Sequence, residues 1–162
     1  MEKKPIKRSE QIQPLSREHH ATLLFCWKIE EGVKRGIEKE RIDRYAGYFY
    51  PEHVVGHFAS EEKLLFTDRQ DPKVRTALMQ HETIREFFEK IQEGRANFPN
   101  DYLSLAALLR SHTRYEERDL FPHLEQTLPP DELDRIGTIL NLEEHTAEEQ
   151  YNDEFWRDAK SQ

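Results

Sequence analysis

HFASEEKLLF at residues 57–66 and HTRYEERDLF at residues 112–121 place His, Glu, Glu, Leu and Phe at the same offsets. A further histidine precedes each, His19 or His20 before the first and His81 before the second. His19 and His81 are 62 residues apart, and His57 and His112 are 55 apart. The chain therefore reads as two helix pairs, each offering one histidine and then a His-x-x-x-Glu. Residues four apart on a helix are displaced by about 40° and about 6 Å, so imidazole and carboxylate project side by side. His112 continues the row Leu105, Leu108 and Leu109, and His81 shares a row with Val74, Ala77, Ile84, Phe88 and Ile91. These rows face a core, where a carboxylate without a partner is costly. Four core-facing histidines with Glu61 and Glu116 are the donor set of a metal pair inside a helix bundle. Imidazoles donate, and the glutamates bridge two cations and neutralise part of their charge. A structural zinc site fits less well, because six ligands exceed a closed tetrahedral set.

Outward from these segments, proline and glycine mark where periodic stretches stop. Apolar residues at helical spacing predict a first helix from about Leu15 to Lys34, with Ser16 as a cap near its start. A second runs from about Arg41 to Phe66, kinked or broken at Pro51. Asp71-Pro72 opens a third that reaches about Glu93. A fourth spans Asn100 or Asp101 to about Gln126, bent near Pro122, and a fifth runs from Pro130 or Asp131 to about Trp156. No stretch shows sustained period-2 alternation, so no strand is expected. The expected fold is all-α: an up-down-up-down four-helix bundle with an additional C-terminal helix. Residues 1–14 read as an N-terminal tail, 15–126 as the bundle and 127–162 as the C-terminal helix packing on it.

Composition narrows the function classes. The 162 residues include 32 acidic and 24 basic side chains, a net charge of −8, which argues against nucleic acid as a partner. The longest strictly apolar run, Leu23–Trp27, is far too short to span a membrane. The polar first residues lack the apolar core of a signal peptide, which points to a cytoplasmic domain. One cysteine, Cys26, excludes an intramolecular disulfide and a cysteine-rich zinc site, and reads as a small core residue.

The same residues resemble the hemerythrin-like (HHE cation-binding) family. Leu15-Ser-Arg-Glu18-His19 resembles that family's first-helix motif, and His57/Glu61, His81 and His112/Glu116 match its remaining motifs in order. The resemblance covers about Leu15 to Leu124. It implies a four-helix bundle enclosing a non-haem di-iron centre, two iron ions bridged by the two glutamates and an oxygen species. Family members carry, store or sense dioxygen, respond to nitric oxide, sense iron or help repair iron centres. This chain departs from the oxygen carriers in two places. Arg85 stands where they have a second third-helix histidine, and Glu116 follows His112 at four residues where they have an aspartate at five. Sensing, metal handling or a redox role gains weight over reversible oxygen carriage.

Several positions stay open at this level. His19 and His20 compete for the first ligand; apolar residues at matching offsets favour His19. His53, four before His57, either replaces the missing imidazole or lines the cavity as a hydrogen-bonded histidine. Glu62 and Glu117 read as solvated or outer groups, His123 and His145 as surface or satisfied histidines. Tyr115 could hydrogen-bond a ligand near the iron. The C-terminal stripe Ile136, Leu140, Ala147, Tyr151 and Phe155 packs over the bundle or pairs two copies of the chain. The leading expectation is a di-iron protein that binds or senses dioxygen or nitric oxide, or acts in iron or redox homeostasis. A di-iron enzyme reducing peroxide, oxygen or nitric oxide is the rival, and a metal-free interaction module the third class.

Overall fold

The computed structural model describes residues 8–143 and 149–158, and all regular structure among them is helical. Helix α1 is Gln13–Lys34, α2 is Lys39–Phe49 and α3 is Val55–Ser60. After them come α4, Pro72–Gln92, α5, Asn100–Tyr115, α6, Phe121–Thr127, and α7, Pro130–Leu142. Three π-helical turns, Tyr50–Val54, Glu61–Leu65 and Glu116–Leu120, join α2 to α3, follow α3, and join α5 to α6. A 3₁₀ turn, Phe155–Arg157, stands near the C-terminal end. Among the described residues no helix is long and apolar enough to cross a membrane.

Local chemistry explains most boundaries. Asp71 caps α4 by accepting from the Lys73 N–H, with Pro72 pre-set for the first turn. Gly36 and Gly94, at φ of 68° and 72°, take the left-handed conformation that stops α1 and α4. The expected break at Pro51 takes the form of a π turn, with no interruption of the helical run. One expected cap does not act as a cap. Helix α1 begins at Gln13, before Ser16, whose hydroxyl donates to Glu117 at 2.5 Å. Pro99 stands at the N-cap of α5, without a side-chain cap.

Two apolar clusters fill the interior. One is largely aromatic, with Phe25, Tyr45, Phe49, Phe58, Phe88, Tyr102, Phe155 and Trp156. The other is largely aliphatic, with Ile12, Leu15, Leu64, Leu65, Val74, Leu120, Leu124, Ile136 and Leu140. Along α1 the chain passes from Leu15 in the aliphatic cluster to Phe25 in the aromatic one, and along α4 from Val74 to Phe88. From Val54 to Leu65, and from Leu105 to Leu120, it passes the other way. Each of these four passages carries one of His19, His57, His81 and His112 between its two apolar ends.

The fifth helix is shorter than expected. It stops at Leu142, and Glu149–Glu154 are not helical. Ile136 and Leu140 of α7 are buried in the aliphatic cluster, whereas Phe155 and Trp156 are buried in the aromatic one. One straight helix cannot serve both ends. Ion pairs hold the C-terminal segment: Lys28 to Glu149 at 2.5 Å and Arg41 to Asp153 at 2.6 Å. Gly32 makes room for it, since a Cβ there would lie 2.7 Å from the Phe155 ring. Ala147 and His145 lie outside the described residues.

Candidate metal centre

Two overlapping sets of buried side chains lie at the level between the clusters. His19, His57, Glu61 and Glu116 form one set, and Glu61, His81, His112 and Glu116 form the other. Within each set one ligand-type atom from every residue lies within 4.8 Å of the rest. The two glutamates belong to both. Each starts a π turn, closed by Phe66 N–H to the Glu61 carbonyl and by the Phe121 N–H to the Glu116 carbonyl. Three consecutive residues at about 100° each span too wide an arc to share one helix face. The wider turn after Glu61 lets Leu64, Leu65 and Phe66 all enter the aliphatic cluster while Glu61 faces the histidines.

The ring nitrogens divide by role. Every Nδ1 meets an oxygen of a neighbouring helix or turn: His19 to Glu117 at 2.7 Å, His57 to Glu18 at 3.3 Å, His81 to Glu62 at 2.6 Å, His112 to Gln80 at 2.6 Å. The Nε2 atoms face the glutamates. His19 Nε2 is 2.9 Å from Glu116 Oε1, His57 and His81 Nε2 are 3.4 and 3.3 Å from Glu61 Oε1, and His112 Nε2 is 3.3 Å from Glu116 Oε1. Among the described residues, Nε2 of His57, His81 and His112, both Glu61 carboxylate oxygens and Glu116 Oε2 are buried without a well-formed hydrogen bond. Unpaired buried polar atoms are rare because each loses its hydration for nothing. Here they converge, from five residues, on one space. That donor set, imidazole nitrogen with carboxylate oxygen, fits two divalent cations sharing the glutamates.

The electrostatics carry the same mark. Burial, then repulsion from Glu116, pushes the Glu61 carboxyl well above the usual carboxylate range. Burial opposes ionisation of Glu116 too, but attraction to His112, close polar contacts with Glu61 and His112, and the hydrogen bond with His19 hold it well below that range. For His19, burial lowers the affinity for a proton, yet hydrogen bonds to Glu116 and Glu117 outweigh it and raise the imidazole to about 9. In His81, burial dominates and pushes the imidazole down despite Glu62. Without cations the centre is thus a frustrated group of two carboxylates and four imidazoles.

The remaining sequence-level candidates sort as follows. His20 is exposed and joins neither set, because one residue along a helix turns the side chain by about 100°. His53 is buried but stacks on Phe49 at 5.0 Å and also joins neither set. Arg85, at the position of the missing imidazole, donates to Glu62 at 2.8 Å. Glu62 and Glu117 are partly covered and engaged with His81 and His19, not free in solvent. Tyr115 donates to the Lys73 carbonyl at 2.7 Å, which spends its hydroxyl away from the glutamates. His123 is satisfied by Asp71 at 2.6 Å. Cys26 is buried, and burial pushes its thiol up to about 12, which keeps it protonated and inert. The sequence reading missed Glu18 and Gln80. Their signal was positional, since each stands one residue before an upstream histidine of the repeat.

Residues 10–124 match the family model described as "Hemerythrin HHE cation binding domain". Comparison with curated proteins and with solved structures returned no match.

Proposed function

Starting from the chain's membership of the hemerythrin HHE cation-binding family, we propose a non-haem di-iron protein that binds dioxygen or nitric oxide, in sensing or in iron and redox homeostasis. The observation that carries this reading is the pair of buried donor sets sharing Glu61 and Glu116. His19 and His57 would hold one ion, His81 and His112 the other, and the two glutamates would bridge. Bound iron supplies open coordination positions and a reversible change of valence, the chemistry a diatomic gas needs. The chain fixes the imidazoles: each Nδ1–H donates to its outer acceptor, which leaves Nε2 as the donor to metal. Phe58 lies 3.7 Å from His81, ring on ring, and Phe121 stacks on His19 at 5.7 Å, so apolar walls limit water around the donors.

The opposed passages of the four histidine-bearing segments between the two clusters support an up-down-up-down bundle, with the described residues 127–143 and 149–158 laid over it. His53 serves as a cavity-side histidine, because its ring stays against Phe49 and Tyr48. With Arg85 committed to Glu62, six side-chain ligands remain, which favours sensing or metal handling over stable oxygen carriage.

Elemental analysis joined to anaerobic and aerobic optical spectra tests the reading. Close to two irons per chain and a visible-absorption change on admitting dioxygen or nitric oxide are expected. Failure to retain iron, or iron without any response to either gas, would overturn it. Sustained turnover of peroxide or nitric oxide would instead assign the protein to the di-iron enzymes.

A further inference from the structure

The outer contacts of the four imidazoles obey a rule of position. The residue after each shared glutamate, Glu62 or Glu117, accepts from an upstream histidine, His81 or His19. The residue before each upstream histidine, Glu18 or Gln80, accepts from a downstream one, His57 or His112. The internal repeat thereby pairs the acceptors, Glu62 with Glu117 and Glu18 with Gln80. The first pair is matched in charge and in its arginine support, with Glu117 also accepting from the Ser16 hydroxyl. Arg85 lies 2.8 Å from Glu62, and Arg8 lies 3.1 Å from Glu117. The two guanidiniums also sit alike over phenylalanine rings, Arg85 over Phe58 at 5.5 Å and Arg8 over Phe121 at 5.4 Å.

The second pair is not matched. Glu18 brings a carboxylate to His57, and Gln80 brings a neutral amide to His112. A carboxylate accepting from a ligand imidazole raises that ligand's basicity and offsets cation charge; an amide oxygen aligns the ring but adds no net charge. The Glu18 contact is longer, 3.3 Å against 2.6 Å. Coulomb energy falls only as the inverse of distance, so the added length does not cancel a full charge.

Building on the two-cation reading above, we propose that the centre is unequal by design: Glu18 makes the His19–His57 half the tighter cation position and the first to fill. Its counterpart, the His81–His112 half, fills second because Gln80 leaves it one outer charge short.

Anaerobic titration of the metal-free full chain with cobalt(II), followed by calorimetry and visible absorption, reads the two positions separately. Two sequential equivalents of unequal affinity are expected for the unaltered chain. Glu18→Gln should weaken the first equivalent by about 10- to 100-fold and draw the two together. Gln80→Glu should tighten the second, and the double exchange should restore two separated steps. His57→Ala should remove the tight step, and His112→Ala the weak one. Both exchanges keep side-chain shape, and unchanged thermal melting of the metal-free variants checks that they fold. Two equal affinities in the unaltered chain, or a Glu18→Gln that shifts both steps equally or neither, would overturn the inequality and leave two-cation binding standing. Uptake of fewer than two ions by the unaltered chain would remove both readings.

Discussion

Around Phe25 the interior is ring against ring: Phe49 at 4.2 Å, Tyr45 at 5.4 Å, Phe88 at 5.6 Å, with Phe25 itself fully buried. At the level of His81 on α4 and His57 on α3 the side chains are buried too, but the atoms brought together are imidazole Nε2 and carboxylate oxygens, most of them without hydrogen bonds. The same helices build both regions. In the apolar clusters every contact favours the folded chain by itself. In the polar layer the folded chain holds buried groups that disfavour one another's charge and that an added cation would reconcile. Stability and function are therefore laid down in separate layers of one bundle, and substitutions should separate them.

The largest effect should come from the aromatic end. Phe25→Ala leaves a cavity among Phe49, Tyr45 and Phe88, and should cost about 3–5 kcal/mol in denaturant unfolding. The loss should be the same with and without metal, and the metal content of the folded fraction should not change. A Phe25→Ala protein that folds but takes up no metal would break the separation of layers.

Metal removal should act on the other layer by a comparable amount. A ligand at about 1,000 times its Kd stabilises the folded state by about 4 kcal/mol, so chelation should lower the melting temperature and readdition should restore it. Glu61→Gln sharpens the contrast. It removes a carboxyl that burial and Glu116 disfavour in its ionised form, in a side chain with two unpaired oxygens. The metal-free variant should melt at the same temperature as the metal-free parent or slightly higher, while the gain on adding metal disappears. A metal-free Glu61→Gln that melts well below the parent would mean that the polar layer is structural after all.

Which of these layers could be read from the sequence follows from how local each signal is. The 55-residue repeat of His-x-x-x-Glu and the apolar rows around His81 and His112 are local periodicities, and the structure gathers those residues. The preference for His19 over His20 rested on apolar offsets along one helix, and His19 is the buried member. The π turns left no such trace. Glu61 to Leu65 are ordinary helix formers, and the wider turn reflects where Phe66 must pack. The end of the fifth helix was misjudged because Tyr151 and Phe155 keep helical spacing with Leu140 while packing at the opposite end of the molecule. Glu18 and Gln80 were missed for another reason. Their partners lie 39 and 32 residues away, and only the angle between helices makes those contacts.

The smallest effect concerns a residue that serves neither layer directly. Asp71 caps α4, which delivers His81, and its carboxylate accepts from the Lys73 N–H at 2.9 Å and pairs with His123 at 2.6 Å. Burial works against its ionised form, but the hydrogen bonds with His123 and the backbone hold the carboxyl below the ordinary aspartate range. A carboxyl depressed in the folded state stabilises fully above its unfolded value, and that contribution fades as pH falls through the folded one. Asp71→Ala should therefore cost about 1 kcal/mol at neutral pH. The difference from the parent should shrink in acid. Asp71→Asn, which keeps a capping oxygen but not the charge, should recover most of the loss and flatten its dependence on pH. His81 lies nearly three helical turns beyond the cap, so metal stoichiometry should hold in both variants. A fall in metal uptake in Asp71→Ala would show that the polar layer depends on the register of α4, and would tie the two layers together where the core packing keeps them apart.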